Sequence, residues 1–228
     1  MSKLHLVETV TSAIEDYAKA IYALETREGA AVSTTALAER LRVTAASASS
    51  MVKKLAEMGL VTHEPYRGVR LTPRGVKVAL EVLRHHRLLE RYLAEELGLP
   101  WDRVHDEAEV LEHVLSEELE ELIAAKLGHP TRDPHGDPIP TADGRIDEAP
   151  TAALHDLDAG ACGLFVRVSD SDPEMLRYLA ARGIAPGDRF EVVEKQPFDG
   201  PLFARFGNDV HVLGGALAKA MRVEVDPR

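Results

Sequence analysis

Residues 33 to 58 read Ser33-Thr34-Thr35-Ala36-Leu37-Ala38-Glu39-Arg40-Leu41-Arg42-Val43-Thr44-Ala45-Ala46-Ser47-Ala48-Ser49-Ser50-Met51-Val52-Lys53-Lys54-Leu55-Ala56-Glu57-Met58. Ser33 or Thr34 can cap a short helix carrying Leu37, Ala38 and Leu41. The turn Arg42-Val43-Thr44 follows, and Thr44 can cap a further helix to about Met58, which Gly59 ends. Downstream, Val61 to Glu64 and Val69 to Thr72 have the composition of two short strands, joined by the turn-rich Pro65-Tyr66-Arg67-Gly68. Upstream, Glu8 to Glu28 places Ile14, Ala18, Ile21 and Leu24 at helical spacing. The order is helix, helix-turn-helix, hairpin.

That order is the winged helix-turn-helix pattern. A helix that enters the major groove needs small or polar side chains at its N-terminal end. Thr44, Ala46, Ser47 and Ser50 meet this need; Lys53 and Lys54 follow one to two turns later, within reach of phosphate. Arg67 and Arg70 in the hairpin can make phosphate contacts, which position a protein on DNA without reading sequence. No Arg or Asn opens the helix for a bidentate base contact, so base reading is sparse and shape readout matters. The chain carries 27 basic and 38 acidic residues, a net charge of −11. The charge is segregated, however. Thr34 to Gly75 holds seven basic residues against three acidic ones, whereas Asp102 to Leu122 holds nine acidic residues and only Arg103 opposing them. The local basic excess favours double-stranded DNA as partner over the alternative, a winged helix used as a protein-interaction module.

Thr72-Pro73 opens a long helix, cap residue then Pro, to about Leu97. Trp101 to Leu115 and Ser116 to Leu127 read as two more, with Ser116 the cap between them. Apolar faces on these helices (Leu80, Leu83, Leu93, Leu97, Val104, Leu111, Leu115) predict a homodimer. From His129 to Pro150, five prolines with Gly136 and Gly144 mark a linker. Beyond Thr151, alternating stretches such as Leu164 to Val168, Phe190 to Val193, Val210 to Val212 and Met221 to Val225 predict short strands, with Gly207-Asn208 as a hairpin turn. One short helix interrupts them, capped by Asp172 with Pro173 first inside. A small β-barrel accommodates such strands. The fold class is therefore mostly α with a small β domain. Its parts are a winged helix-turn-helix domain (1–74), a helical dimerisation and metal-binding domain (75–140), a linker (141–150) and a C-terminal barrel (151–228). The N-terminus lacks the pattern of a signal peptide, no apolar run approaches a membrane span, and the single Cys162 fits a reducing compartment. A cytoplasmic protein without a membrane partner is expected.

The chemistry concentrates in His105-Asp106-Glu107-Ala108-Glu109-Val110-Leu111-Glu112-His113. On a continuous helix Glu109, Glu112 and His113 share one face. Two carboxylates and an imidazole so placed call for a cation, and a divalent metal supplies one. His105 lies one turn before Glu109. His86 and Glu90 form another i, i+4 pair on the long helix. Any one pair alone would be a solvated acidic face; together they favour metal binding. A metal-dependent hydrolase would need an open coordination position and a general base. No Ser/His/Asp or His-Glu-x-x-His arrangement is present, so no catalytic residue and no organic cofactor are assigned.

Taken together these pieces resemble the diphtheria toxin repressor family of iron- and manganese-dependent regulators. The matching motifs are Asp16-Tyr17 with Ile21-Tyr22, the helix-turn-helix and its wing, and His86-Arg87-Leu88-Leu89-Glu90-Arg91. They continue with His105-Asp106-Glu107-Ala108, Glu112-His113 and Ser116, and with Pro134-His135-Gly136-Asp137-Pro138-Ile139-Pro140. The barrel is similar to the SH3-like (FeoA-like) domain of longer members. The resemblance implies a primary site of Asp16, Glu109, Glu112 and His113, and an ancillary site of His86, Glu90 and His105 completed by the C-terminal domain. Arg167 and Asp170 fall near positions from which iron-type members donate ligands. Arg167 cannot ligate a cation; Asp170, or Asp172 nearby, can. Iron-type members place Met and Cys where Asp16 and Glu109 stand, and hard oxygen donors suit Mn²⁺. The resemblance therefore implies a Mn²⁺-activated repressor acting on a palindromic operator. The alternative is an Fe²⁺-dependent one, with Co²⁺, Ni²⁺, Zn²⁺ or Cd²⁺ able to substitute in vitro. Short manganese regulators carry a Glu one turn after the Asp, where this chain reads Ala18-Lys19, which argues against a two-metal cluster of their type.

Overall fold

The computed structural model describes residues 10–64, 67–146, 149–198 and 200–227. Glu8, where the first helix is expected to begin, and Pro65 and Tyr66 of the wing loop lie outside them. The described chain divides into two compact units. One comprises residues up to His85, with Glu112–Leu115 and Pro140–Arg145; the other comprises His86–Leu111, Ser116–Ile139 and Ile146 onward.

In the first unit, helix α1 (Ser12–Glu28) buries Ile14, Tyr17, Ala18, Ile21 and Leu24, the stripe that its 3.6-residue period brings to one side. Gly29, in the left-handed region at φ 65°, ends it by returning its N–H to the Glu25 carbonyl. Helix α2 (Thr34–Arg40) is capped by Ser33, whose hydroxyl accepts from the Ala36 N–H. Helix α3 (Ala45–Glu57) is capped by Thr44, whose hydroxyl accepts from the Ser47 N–H. Strands β1 (Val61–Glu64) and β2 (Gly68–Leu71) form the antiparallel wing, with Val61 opposite Leu71. One apolar core joins Ile14, Ile21, Leu37, Val52, Leu55, Leu60 and Val69. Helix α4 (Pro73–Glu95) leaves this core with Val78 and Ala79 still packed against it.

The second unit holds the rest of α4, then α5 (Val104–Leu111) and α6 (Glu117–Lys126), the latter capped by Ser116. Helix α5 is shorter than the expected Trp101–Leu115: Glu112, His113 and Val114 have left the helix. Leu80, Leu93 and Val104, expected to face a second subunit, are instead buried within the chain. The exposed apolar side chains on these helices and their ends are Leu97 and Leu111, both expected on the dimer face, with Val110, Leu119 and Leu122.

The proline-rich stretch expected to be a linker is, in its first half, a packed loop. Asp133, His135 and Ile139 are buried. Asp133 Oδ1 accepts the N–H groups of His135 and Asp137, both at 2.9 Å, which closes the loop as a local turn. Gly136, at φ 91°, comes so close to the sheet that a Cβ there would stand 1.9 Å from the Val166 carbonyl oxygen.

The C-terminal part forms one antiparallel sheet of six strands: β3 (Ala152–Ala153), β4 (Cys162–Val168), β5 (Arg189–Lys195), β6 (Leu202–Phe206), β7 (Asp209–Leu213) and β8 (Met221–Val225). Their order is β3-β8-β4-β5-β6-β7, so the sheet is open where a closed barrel was expected: among the described residues β3 and β7 do not pair. Helix α7 (Pro173–Ala180), capped by Asp172, and α8 (Gly215–Ala220) complete it around a core of Phe165, Leu179, Phe190, Leu202 and Met221. No helix among the described residues is long and apolar enough to cross a membrane.

Candidate metal centres

The first group of donors lies within the first unit. Because Ile14, Tyr17 and Ala18 turn inward on α1, Glu15, Asp16 and Lys19 are left on its flank. Opposite them stand Glu112 and His113, presented by the turn that follows α5 and held there by His85 Nδ1, 3.1 Å from the Glu112 carbonyl oxygen. His113 Nε2 lies 3.0 Å from Asp16 Oδ1 and 3.5 Å from Glu112 Oε1. The other ring nitrogen, Nδ1, lies 2.5 Å from Glu15 Oε2. Lys19 Nζ stands 2.6 Å from Glu112 Oε1, a side chain with no solvent exposure. Ligand atoms of Asp16, Glu112 and His113 all fall within 4.8 Å of one another. With the imidazole counted as neutral, three carboxylates and one ammonium leave a formal charge of −2, which one divalent cation offsets.

Glu109, expected with these three, falls elsewhere. Its Oε1 is 3.8 Å from His105 Nε2 and 3.9 Å from His86 Nδ1. The helical face that would align Glu109 with Glu112 and His113 ends at Leu111, so Glu109 keeps its i, i+4 relation to His105.

The second group lies within the second unit and centres on Glu90, which is 1% exposed. Glu90 Oε1 is 3.1 Å from His86 Nε2, 3.4 Å from His105 Nδ1 and 3.8 Å from His135 Nδ1. Asp170, just beyond β4, brings Oδ2 to 3.0 Å from His105 Nδ1. Three overlapping sets of donor atoms result: His86, His105 and Glu109; Glu90, His105 and Asp170; and Glu90, Asp133 and His135. Asp172, the other candidate, is spent as a helix cap.

Electrostatics bind this second group tightly. Burial pushes the Glu90 carboxyl up, but hydrogen bonds from His105, His135 and His86 outweigh burial and hold it well below the usual carboxylate range. Hydrogen bonds to Asp170 and Glu90 raise His105 to about 10 against the effect of burial. Burial lowers His135, yet Glu90 and Asp133 more than compensate and bring it to about 9. Burial, with the charges of Glu90 and Asp137, pushes Asp133 up in spite of Arg87. Arg167 donates to Asp137 Oδ1 at 3.1 Å, so it anchors the 133–138 loop and contributes no donor.

Asp133 and His135 were missed as site residues, and so were Glu15 and Lys19. His135 stood in a quoted motif, Pro134 to Pro140, but spacing along a loop carries no periodicity from which a shared face could be inferred. Glu15 and Lys19 flank Asp16 in sequence, and only the position of Glu112-His113 gives them a role.

The residues expected to meet DNA share the first unit. Ala46, Ser47, Ser50, Lys53 and Lys54 are exposed along α3, and Thr44 is exposed at its cap. In the wing, Arg67 pairs with Glu64 at 3.2 Å, and Arg70 with Glu25 at 3.6 Å.

An exposed capped helix beside a wing, together with clustered Asp, Glu and His donors, defines a metal-dependent, DNA-binding class of protein. Comparison with known proteins gives the family. Residues 9–69 match the iron dependent repressor, N-terminal DNA binding domain; residues 72–141 match the iron dependent repressor, metal binding and dimerisation domain; residues 152–225 match the FeoA domain. The iron-dependent repressor IdeR of Mycobacterium tuberculosis is 33% identical, over 92% of this chain and 96% of its own. The diphtheria toxin repressor of Corynebacterium efficiens is 35% identical, over 92% and 94%. A solved structure described as a manganese-dependent transcriptional repressor in complex with manganese superposes with a TM-score of 0.86 at 45% identity, covering 93% of this chain and 99% of that one. This chain belongs to the diphtheria toxin repressor family of metal-dependent, DNA-binding transcriptional repressors, which are not enzymes.

Proposed function

We propose that this protein is a Mn²⁺-activated repressor of metal-uptake and homeostasis genes, acting as a cytoplasmic homodimer on a palindromic operator. The observation that carries the metal preference is the donor set. Asp16, Glu112 and His113 offer two carboxylates and an imidazole, and no cysteine enters any donor group among the described residues. Hard oxygen donors suit Mn²⁺, whereas thiolate and thioether donors favour softer or later metals. The 45% identity to a manganese-dependent repressor supports the same reading. An Fe²⁺-dependent repressor of iron-acquisition genes is the second reading, favoured by the names of the full-length relatives.

A divalent cation bound at the first group would supply the positive charge that lets its carboxylates stay close. Asp16 ties α1, which shares a core with α2 and α3, to the Glu112-His113 turn. With a cation bound, that tie would hold α1 and its core to the turn and so bias the spacing of two recognition helices on the operator. Exposed Val110, Leu119 and Leu122 on α5 and α6 supply the apolar surface of the dimer. Glu90, His86, His105, His135 and Asp170 form a second, ancillary site. The division into DNA-reading (1–74), dimerisation (75–140), linker (141–150) and FeoA-like (151–228) parts belongs to the same proposal.

Gel-shift titration against promoter fragments, at fixed salt and without oxygen, tests the reading. Mn²⁺ at micromolar levels should drive complex formation, chelator should reverse it, and Asp16→Ala should remove the response while leaving the fold intact. DNA binding indifferent to chelator, or driven by Fe²⁺ alone, would overturn it.

A further inference from the structure

Helix α1 brings more than Asp16 to the first group. We propose that Glu15 is a positioning residue for His113: it accepts the Nδ1–H and thereby commits Nε2 to the metal. The inference rests on the metal reading above and deepens it.

The argument starts from the ring. A neutral imidazole carries one proton, on either nitrogen, and only the bare nitrogen can ligate. Here both nitrogens of His113 face carboxylates: Nδ1 faces Glu15 Oε2 at 2.5 Å, and Nε2 faces Asp16 Oδ1 at 3.0 Å with Glu112 Oε1 at 3.5 Å. The two edges are not equivalent. Nε2 lies in the donor group with Asp16 and Glu112, whereas Glu15 belongs to none of the donor groups among the described residues. If the proton sat on Nε2, the Nδ1 lone pair would point at a carboxylate oxygen, two acceptors in contact with no hydrogen between them. With the proton on Nδ1, that contact becomes a charge-assisted hydrogen bond. On loading, any proton on Nε2 leaves to solvent, while the Nδ1 proton stays with Glu15. A carboxylate behind a ligating imidazole fixes its orientation and raises its basicity, and loss of such a partner costs about 10- to 100-fold in metal affinity.

Adjacency on α1 makes the device economical in sequence. Glu15 and Asp16 are consecutive and diverge by about 100° around the helix, so they reach opposite edges of one ring. The pair grips His113 by both nitrogens, one through a proton and the other across the space where the ion belongs.

The test uses the full-length protein with Cd²⁺ and Mn²⁺ as probes. Variants Glu15→Gln, Glu15→Ala and Asp16→Ala are compared by isothermal titration and by ¹⁵N NMR of ring-labelled histidine, with His113→Gln assigning the resonances. In the Cd²⁺-loaded parent, His113 should show a protonated Nδ1 and a coordinated Nε2. Glu15→Ala should weaken the first site about 10- to 100-fold and leave the metal-free melting temperature near the parent's. Glu15→Gln, whose amide oxygen still accepts the Nδ1–H, should recover part of that loss; a purely structural role would give no such graded rescue. Unchanged affinity in Glu15→Ala, or a protonated Nε2 in the loaded parent, would overturn the proposal. So would a loss as complete as that of Asp16→Ala, because Glu15 would then itself be a ligand. A parent-like response in Asp16→Ala would instead strike the metal reading itself, and the positioning role with it.

Discussion

Lys19 Nζ stands 2.6 Å from Glu112 Oε1, and the carboxylate it meets is wholly shielded from water. A buried charge held by an opposite one becomes expensive when its partner is taken away, by about 3 kcal/mol or more. Lys19→Met should therefore lower the urea midpoint of the metal-free protein. Saturating Mn²⁺ should return most of the loss, because the same carboxylate gains a cation by another route. Equal losses with and without metal would show that Lys19 acts apart from the site.

The metal-free protein should lose stability as pH rises above neutrality. His135 and His105 have folded pKa values of about 9 and about 10, above the ordinary 6.5. A raised imidazole pKa means that the folded state holds its proton more tightly than the unfolded chain does. That stability is fully present below about pH 6.5 and drains away as pH climbs through 9 to 10. Glu90 works in the opposite sense: its carboxyl is depressed, so its contribution is present above the unfolded value and is lost as pH falls through the folded one. His105 is 40% exposed, so solvent screens its ion pairs and buried His135 carries the larger share. Denaturant unfolding in chelator at pH 6.5, 8 and 9.5 should show a steady decline, and His135→Gln should flatten it.

Trp101 is the single tryptophan of the chain and stacks on His135, with ring centroids 5.8 Å apart and planes inclined by 21°. His135 Nε2 also bonds to the Trp101 carbonyl at 2.8 Å. Indole emission should report filling of the Glu90 group. Mn²⁺ titration should change Trp101 fluorescence in the parent and leave it flat in His135→Ala. A parent whose emission ignores metal would remove His135 from that site.

Gly136→Ala should destabilise the second unit by about 2 kcal/mol or more, since the position combines a positive φ with a backbone oxygen 1.9 Å from the new Cβ. Thermal melting measures it. The same change at Gly183, also at positive φ but with nothing within 4 Å, should cost less.

Much of the fold could be read from local chemistry. Thr44, Ser116, Asp172 and one of Ser33 and Thr34 are expected as caps, and Ser33, Thr44, Ser116 and Asp172 each accept a backbone N–H at the helix start, because capping depends on neighbours two or three residues away. The wing strands follow for the same reason: their pairing is short-range. What could not be read was the end of α5. Nothing in Glu109 to Leu115 breaks a helix, yet Glu112 and His113 leave it, and the partners they meet there, His85, Glu15, Asp16 and Lys19, lie far away in sequence. Glu109 consequently joins His86 and His105. Prolines misled in the other direction: Pro134 and Pro138 look like a tether, but Asp133 and Arg87 fold that stretch into a buried loop that carries His135.

The convergence of imidazoles on Glu90 has a thermodynamic consequence. His105 and His135 both hold protons at neutral pH in the metal-free state, and neither can bind an ion until it gives one up. Filling that site is thus an exchange, with up to two hydrogen ions released for each metal taken in. Occupancy follows a quotient, metal activity over the square of acidity. A drop of one pH unit would demand up to about a hundredfold more free ion for equal filling. The chain weighs metal against acid.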